Sequence, residues 1–102
     1  MALSQATLTG SASAVYTSSG NSAVTTMYLC NFSVSDRTVT IYLVPSAGTA
    51  GTGNIIYKEV PIAAGDTYII DTERLVLANG DSVQALASST SSVTMTVSYV
   101  GV

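Results

Sequence analysis

Val93-Thr94-Met95-Thr96-Val97-Ser98-Tyr99 is the stretch that decides the fold. Successive side chains of an extended strand point to opposite faces. Val93, Met95, Val97 and Tyr99 therefore point one way, and Thr94, Thr96 and Ser98 the other. The pattern predicts an antiparallel strand buried on one face only.

The same period of two extends through the chain. From Arg37 to Val44, Val39, Ile41 and Leu43 share one face, and Thr38, Thr40, Tyr42 and Val44 the other. Both faces are fairly apolar, which predicts a central strand or one that meets another subunit. Pro45 lacks an N–H and is expected to end it. Ala23 to Phe32 reads as another long strand, and Ser33 to Asp36 as the turn of a hairpin leading into Arg37. Gln5 to Thr9, Ala14 to Ser18, Asn54 to Val60, Thr67 to Asp71 and Ser82 to Ala87 complete the strands, with Pro61 expected to stop the third of these. Glu73 to Leu77 reads as a short strand or one helical turn. Ala64-Gly65-Asp66 and Asn79-Gly80 are turn signals, because Gly and Asn tolerate positive φ. Ser46 to Gly53, rich in small residues, predicts a flexible connection between sheets. About eight short strands, with turn signals roughly every 8 to 12 residues, predict an all-β chain. The expected architecture is a single antiparallel β-sandwich or jelly-roll-like domain over residues 1–102. Residues 1–13 would form an N-terminal arm or an edge strand.

Charge narrows the function classes. Only 9% of the 102 residues are charged and 47% are hydrophobic, against about 25% charged in ordinary domains. A surface coated with Ser and Thr is easily buried against a partner, because few charges need desolvating. The three cations, Arg37, Lys58 and Arg74, are scattered in a chain of net charge −3. They cannot form the basic patch that nucleic acid or an anionic membrane requires, so neither is an expected partner. No apolar run approaches the roughly 18 residues of a membrane helix. Met1-Ala2-Leu3-Ser4-Gln5 has neither a basic nor an apolar leader region, so the product is expected to stay where it is made.

Catalysis finds little support. There is no histidine, which removes the commonest general base and metal ligand. The single cysteine, Cys30, lies in an apolar strand and is expected to be a buried, inert thiol. Asp71 and Glu73 are the best-spaced carboxylate pair, but the six carboxylates read as solvated turn residues. Asp66, Asp71 and Asp81 lack calcium-loop spacing. Gly48 to Gly53 has no lysine after it and leads into a strand, so it is not a phosphate loop. Asn31-Phe32-Ser33 fits the glycosylation triplet without a secretory context. The expectation is therefore a protein that is not an enzyme and that needs no cofactor or metal. Of six tyrosines, Tyr28, Tyr42, Tyr57 and Tyr68 are the candidates for subunit contact.

Tyr28-Leu29-Cys30-Asn31, the run from Arg37 to Ser46, Ala64-Gly65-Asp66-Thr67 and the run from Leu77 to Val83 together resemble a family of small β-sandwich proteins of tailed bacteriophages. The resemblance covers roughly residues 27 to 100. It implies a virion structural protein and carries no catalytic residues. Capsid decoration, or cement, proteins are small, β-rich and oligomeric, which this chain's size, low charge and polar N-terminal arm suit. A tail, neck or baseplate protein is the alternative position. A carbohydrate-binding module at a fibre tip is the alternative of another class. The expected partners are other virion proteins and further copies in a dimer or trimer. The expected location is the virion, assembled in the bacterial cytoplasm.

Overall fold

The computed structural model describes residues 2–71 and 75–102. Its strands are β1 (Ala2–Thr7), β2 (Ser13–Thr17), β3 (Ser22–Asn31), β4 (Arg37–Val44), β5 (Ile55–Ile62), β6 (Thr67–Ile70), β7 (Leu75–Leu77), β8 (Ser82–Ala87) and β9 (Val93–Gly101). A 3-10 turn over Thr52–Asn54 precedes β5. All pairings are antiparallel. One sheet has the order β1-β9-β3-β6, with β7 also on β3, and the other runs β2-β8-β4-β5.

This is the all-β sandwich the alternation predicts, with jelly-roll strand order. β6 pairs with Met27–Cys30 and β7 with Ser22–Val24, so the two act as one interrupted strand beside β3. The chain changes sheet at each connection except β4–β5 and β6–β7. Two local expectations fail for that reason. Ser33–Asp36 does not close a hairpin: it carries the chain from β3 in one sheet to β4 in the other. Conversely, the Ser46–Gly53 loop does not join sheets, because β4 and β5 are hydrogen-bonded neighbours. Turn chemistry announces that the chain reverses, but not whether it returns to the same sheet.

The alternation in β9 holds: Val93, Met95 and Val97 are fully buried. They pack with Leu29 and Met27 from their own sheet against Val39, Ile41, Val83 and Ala85 from the other. Tyr99 stacks on Tyr16 of β2, ring centroids 4.0 Å apart at 23°. β4 is central, as its two apolar faces predict. Pro61 does not stop β5, which runs on to Ile62. β5 is an edge strand, where a missing N–H costs no ladder bond. The expectation for Glu73 to Leu77 resolves to a strand over Leu75–Leu77, and Glu73 lies outside the described residues.

Bulges adjust the alternation where it breaks. Val24 and Met27 both face the core although they are three apart, because β3 carries a bulge against β9 between Val24 and Thr26. The Thr25 hydroxyl bonds Ser98 across it, at 3.2 Å to the carbonyl and 3.1 Å to Oγ. A second bulge in β5 puts Glu59 at φ 51°, and the Thr40 hydroxyl accepts its N–H at 3.2 Å.

Asn31 ties the two sheets at the far end of β3. Its side chain is fully buried. Nδ2 donates to the carbonyls of Ser35 and Ile62, each at 2.9 Å. Oδ1 accepts the Ser33 N–H at 3.0 Å and the Ser33 hydroxyl at 2.7 Å. All four hydrogen-bonding positions of the amide are used inside the protein, so this side chain is structural and not a glycan acceptor.

Two substitutions test this account. Met95→Ala should lower unfolding free energy by about 2 to 5 kcal/mol through a core cavity. Asn31→Ala should cost about 2 to 4 kcal/mol by stranding buried carbonyls and the Ser33 N–H. Both losses would be read as lower urea midpoints, with the slope unchanged.

Candidate functional site

Three of the five described carboxylates, Asp36, Asp66 and Asp81, are occupied in turns. Asp36 accepts the Ala64 N–H at 3.0 Å and Asp66 its neighbour Thr67 N–H at 2.9 Å. Asp81 takes two, from Ser46 at 2.9 Å and from Ala78 at 3.0 Å. Its turn also holds Asn79, whose Oδ1 accepts the Gly20 N–H at 2.8 Å, and Gly80, at φ 89°. Three connections thus meet at one end of the sandwich, a role the Asn79-Gly80 signal alone does not reveal. Asp71 is exposed at the end of β6, and its proposed partner Glu73 falls outside the described residues. Glu59 lies 3.8 Å from Lys58 on open surface, where such a pair contributes little. Among the described residues no three potential metal ligands cluster.

The buried polar cluster is also satisfied internally. The Tyr16 hydroxyl bonds Ser22 at 2.9 Å, Ser22 meets Ser18 at 2.6 Å, and the Ser18 hydroxyl also reaches the Gly20 carbonyl at 2.7 Å. These hydroxyls let a tyrosine ring enter the core while its O–H keeps a partner.

The four candidate tyrosines do not form one patch. Tyr28 is 40% exposed on the outer face of β3. Tyr42 lies half-buried on the outer face of the other sheet, opposite Gln84 and Ile55. Tyr57 pairs with Ile41 and packs against the core. Tyr68 pairs with Leu29, on the inward side of β6 at the sandwich edge. Cys30 departs from its expected burial: it lies between buried Leu29 and Asn31, points outward, and is half-buried.

What the structure assembles instead is a bare face. No strand of the five-stranded sheet contains an Asp, Glu, Lys or Arg. Its outward residues form cross-strand rows, such as Gln5, Thr96, Tyr28 and Ile69 across β1, β9, β3 and β6. Leu3, Ile69 and Val76 stand on this face 64%, 51% and 73% exposed. Of nine large hydrophobics exposed among the described residues, only Ile56 belongs to the four-stranded sheet. That sheet differs in chemistry as well. It carries Arg37, Lys58 and Glu59, and its outward Thr40 and Val44 are already covered at 6% and 2% exposure. Beyond Val44 the chain turns at once, with the Gly48 N–H on the Pro45 carbonyl at 2.9 Å.

Sequence reasoning missed Leu3, Ile69 and Val76, because isolated apolar residues on separate strands are unremarkable. The available signal was the absence of charge from five strands, which becomes a face only once the pairing is known.

Replacing Asp81 by Ala should destabilise the protein by about 1.5 to 3 kcal/mol, since two N–H groups lose a charged acceptor. Asp71→Ala should change the unfolding midpoint by less than about 0.5 kcal/mol equivalent. Calcium or EDTA should leave the melting temperature unmoved for either protein.

No protein-family model, curated protein or solved structure matches this chain, so its faces and edges alone carry the functional case.

Proposed function

We propose that this chain is a structural component of a bacteriophage virion, a capsid decoration protein that stabilises the particle through protein–protein contact. One observation carries the reading: the outer face of the five-stranded sheet, whose strands contain no charged residue and on which Leu3, Tyr28, Ile69 and Val76 stand exposed. Exposed apolar side chains on a face whose strands hold no charge are the kind of surface a partner can cover. The threonines and serines between these residues are short, and their desolvation costs less than that of charges. Repetition of one modest contact around a shell multiplies its strength by avidity.

The fold is compatible with this role by analogy alone, since jelly rolls serve in viral capsids and also in lectins. Asp36, Asp66, Asp81 and the buried hydroxyls of Tyr16, Ser18 and Ser22 are engaged in hydrogen bonds within the protein. Their work is to hold the turns that keep both sheets in register.

Mass spectrometry of particles from the encoding phage, separated into heads and tails, tests the proposal. Peptides of this chain should co-purify with heads at a copy number comparable to the major capsid protein. Recovery with tails alone would assign a tail, neck or baseplate role. Absence from both fractions would overturn the virion reading, and saturable binding of the pure chain on a glycan array would favour the sugar-binding one.

A further inference from the structure

We infer that the free edge of β1 is a dimerisation strand. It pairs antiparallel with β1 of a second copy, across a two-fold axis that passes beside Gln5 and runs normal to the sheet. This contact uses the edge of the five-stranded sheet and leaves its outer face open to the partner proposed above.

Backbone direction defines the edge. β1 pairs with β9 in unbroken register from Ala2 to Thr7. The ladder continues with the Leu8 N–H on the Val93 carbonyl at 2.8 Å. In an antiparallel ladder only alternate residues bond a given neighbour. Ala2, Ser4, Ala6 and Leu8 therefore turn their N–H and C=O groups to β9. Those of Leu3, Gln5 and Thr7 point the other way, where no strand pairs with them among the described residues. β2 does not occupy that side. It lies beneath β1 and β9, since the Ser4 hydroxyl reaches the Val15 carbonyl at 2.6 Å and Tyr16 stacks on Tyr99.

β1 is also the edge without a guard. β2 and β5 are bulged. β5 further carries Pro61 and Lys58, and β6 and β7 are only four and three residues long. Such features discourage edge pairing, and the six residues of β1 have none of them.

Three properties make the occupant a second copy. The first is charge. A two-fold contact brings a strand against itself, so any charge meets its like; no charged side chain precedes Asp36. The second is register. With Gln5 beside the axis, Gln5 faces Gln5, and Leu3 faces Thr7 of the other copy. All three free residues are then used, in about six backbone hydrogen bonds. The Gln5 amide donates to the Thr96 hydroxyl at 3.1 Å, which leaves Oε1 and one N–H for a reciprocal bond between the two glutamines. The third is selectivity. A foreign strand is chosen by pockets for its alternate side chains, and among the described residues no pocket lies beside β1.

The test uses the purified full chain, with any tag at its C-terminus. Analytical ultracentrifugation should give twice the 10.4 kDa chain mass. Gln5→Pro should give a monomer with an unchanged far-UV spectrum, because the N–H it removes bonds nothing within the chain. Leu3→Lys combined with Thr7→Lys should also give a monomer, since lysine then meets lysine across the axis. Leu3→Lys combined with Thr7→Glu should remain dimeric, since opposite charges meet there instead. In a Cys30→Ser background, mild oxidation should join Q5C chains by a disulfide, because their Cα atoms lie about 5.5 Å apart. L3C chains, about 14 Å apart, should stay unjoined. A single-chain mass at every concentration up to about 100 μM, a dimer indifferent to the proline and to the paired lysines, or L3C disulfides forming as fast as Q5C ones would each overturn the inference. A monomer recovered in heads would sink the dimer alone, and a dimer missing from both virion fractions would sink the virion reading alone.

Discussion

The register of β9 is the constraint on which the remaining structure hangs. β9 pairs with β1 on one side and β3 on the other, so it fixes the height of both. Its inward residues, Val93, Met95 and Val97, are fully buried. A slip by one residue would turn these three to water and drive Thr94, Thr96 and Ser98 into the core. Each buried apolar side chain contributes roughly 1.5 to 3 kcal/mol, while a chain of this size is stable by only about 5 to 15 kcal/mol. One register is therefore far below its neighbours. That same register carries Leu3 and Tyr28 to their rows on the outer face.

Burial alone would leave the ends of such a sandwich loose, because the jelly-roll path crosses between sheets at nearly every connection. The crossings are held by polar groups that the core cannot supply. Asn31 joins the β3–β4 turn to the end of β5, and Asp81 joins the β7–β8 turn to the residue after β4. Gly20 and Ser18 of the β2–β3 turn dock onto the same place through Asn79 and Gly80. Polar residues at these ends thus serve the chain crossings.

Alternation made the strands legible in the sequence, and β4, β8 and the start of β9 fall at their expected positions because the apolar period there has no defect. Bulges hid part of the burial pattern elsewhere. The burial of Val24 with Met27, and of Val15 with Tyr16, requires an extra residue in β3 and in β2 that no local pattern announces. Pro61 misled because its effect depends on whether the strand has a neighbour on its N–H side. The Ser33–Asp36 turn misled because a reversal of direction has the same sequence chemistry within a sheet or across it. The candidate site was illegible for a related reason. Leu3, Tyr28, Ile69 and Val76 are far apart in the chain, and only the pairing of β1, β9, β3, β6 and β7 places them together. Tyrosine content pointed toward contacts, yet tyrosine alone does not say which way a strand faces. Tyr57 went to the core, and Tyr28 to the outside.

The edges explain why a bare face need not lead to uncontrolled association. β5 is guarded by its bulge, by Pro61 and by Lys58, and β6 and β7 are short; all are known means of blunting an edge. β1 has neither charge nor proline, but it runs beside β2, where the Ser4 hydroxyl donates to the Val15 carbonyl at 2.6 Å. Edge-to-edge growth, which would propagate without limit, is thereby opposed on the β5 edge and on the β6–β7 edge, and constrained where β1 and β2 run side by side.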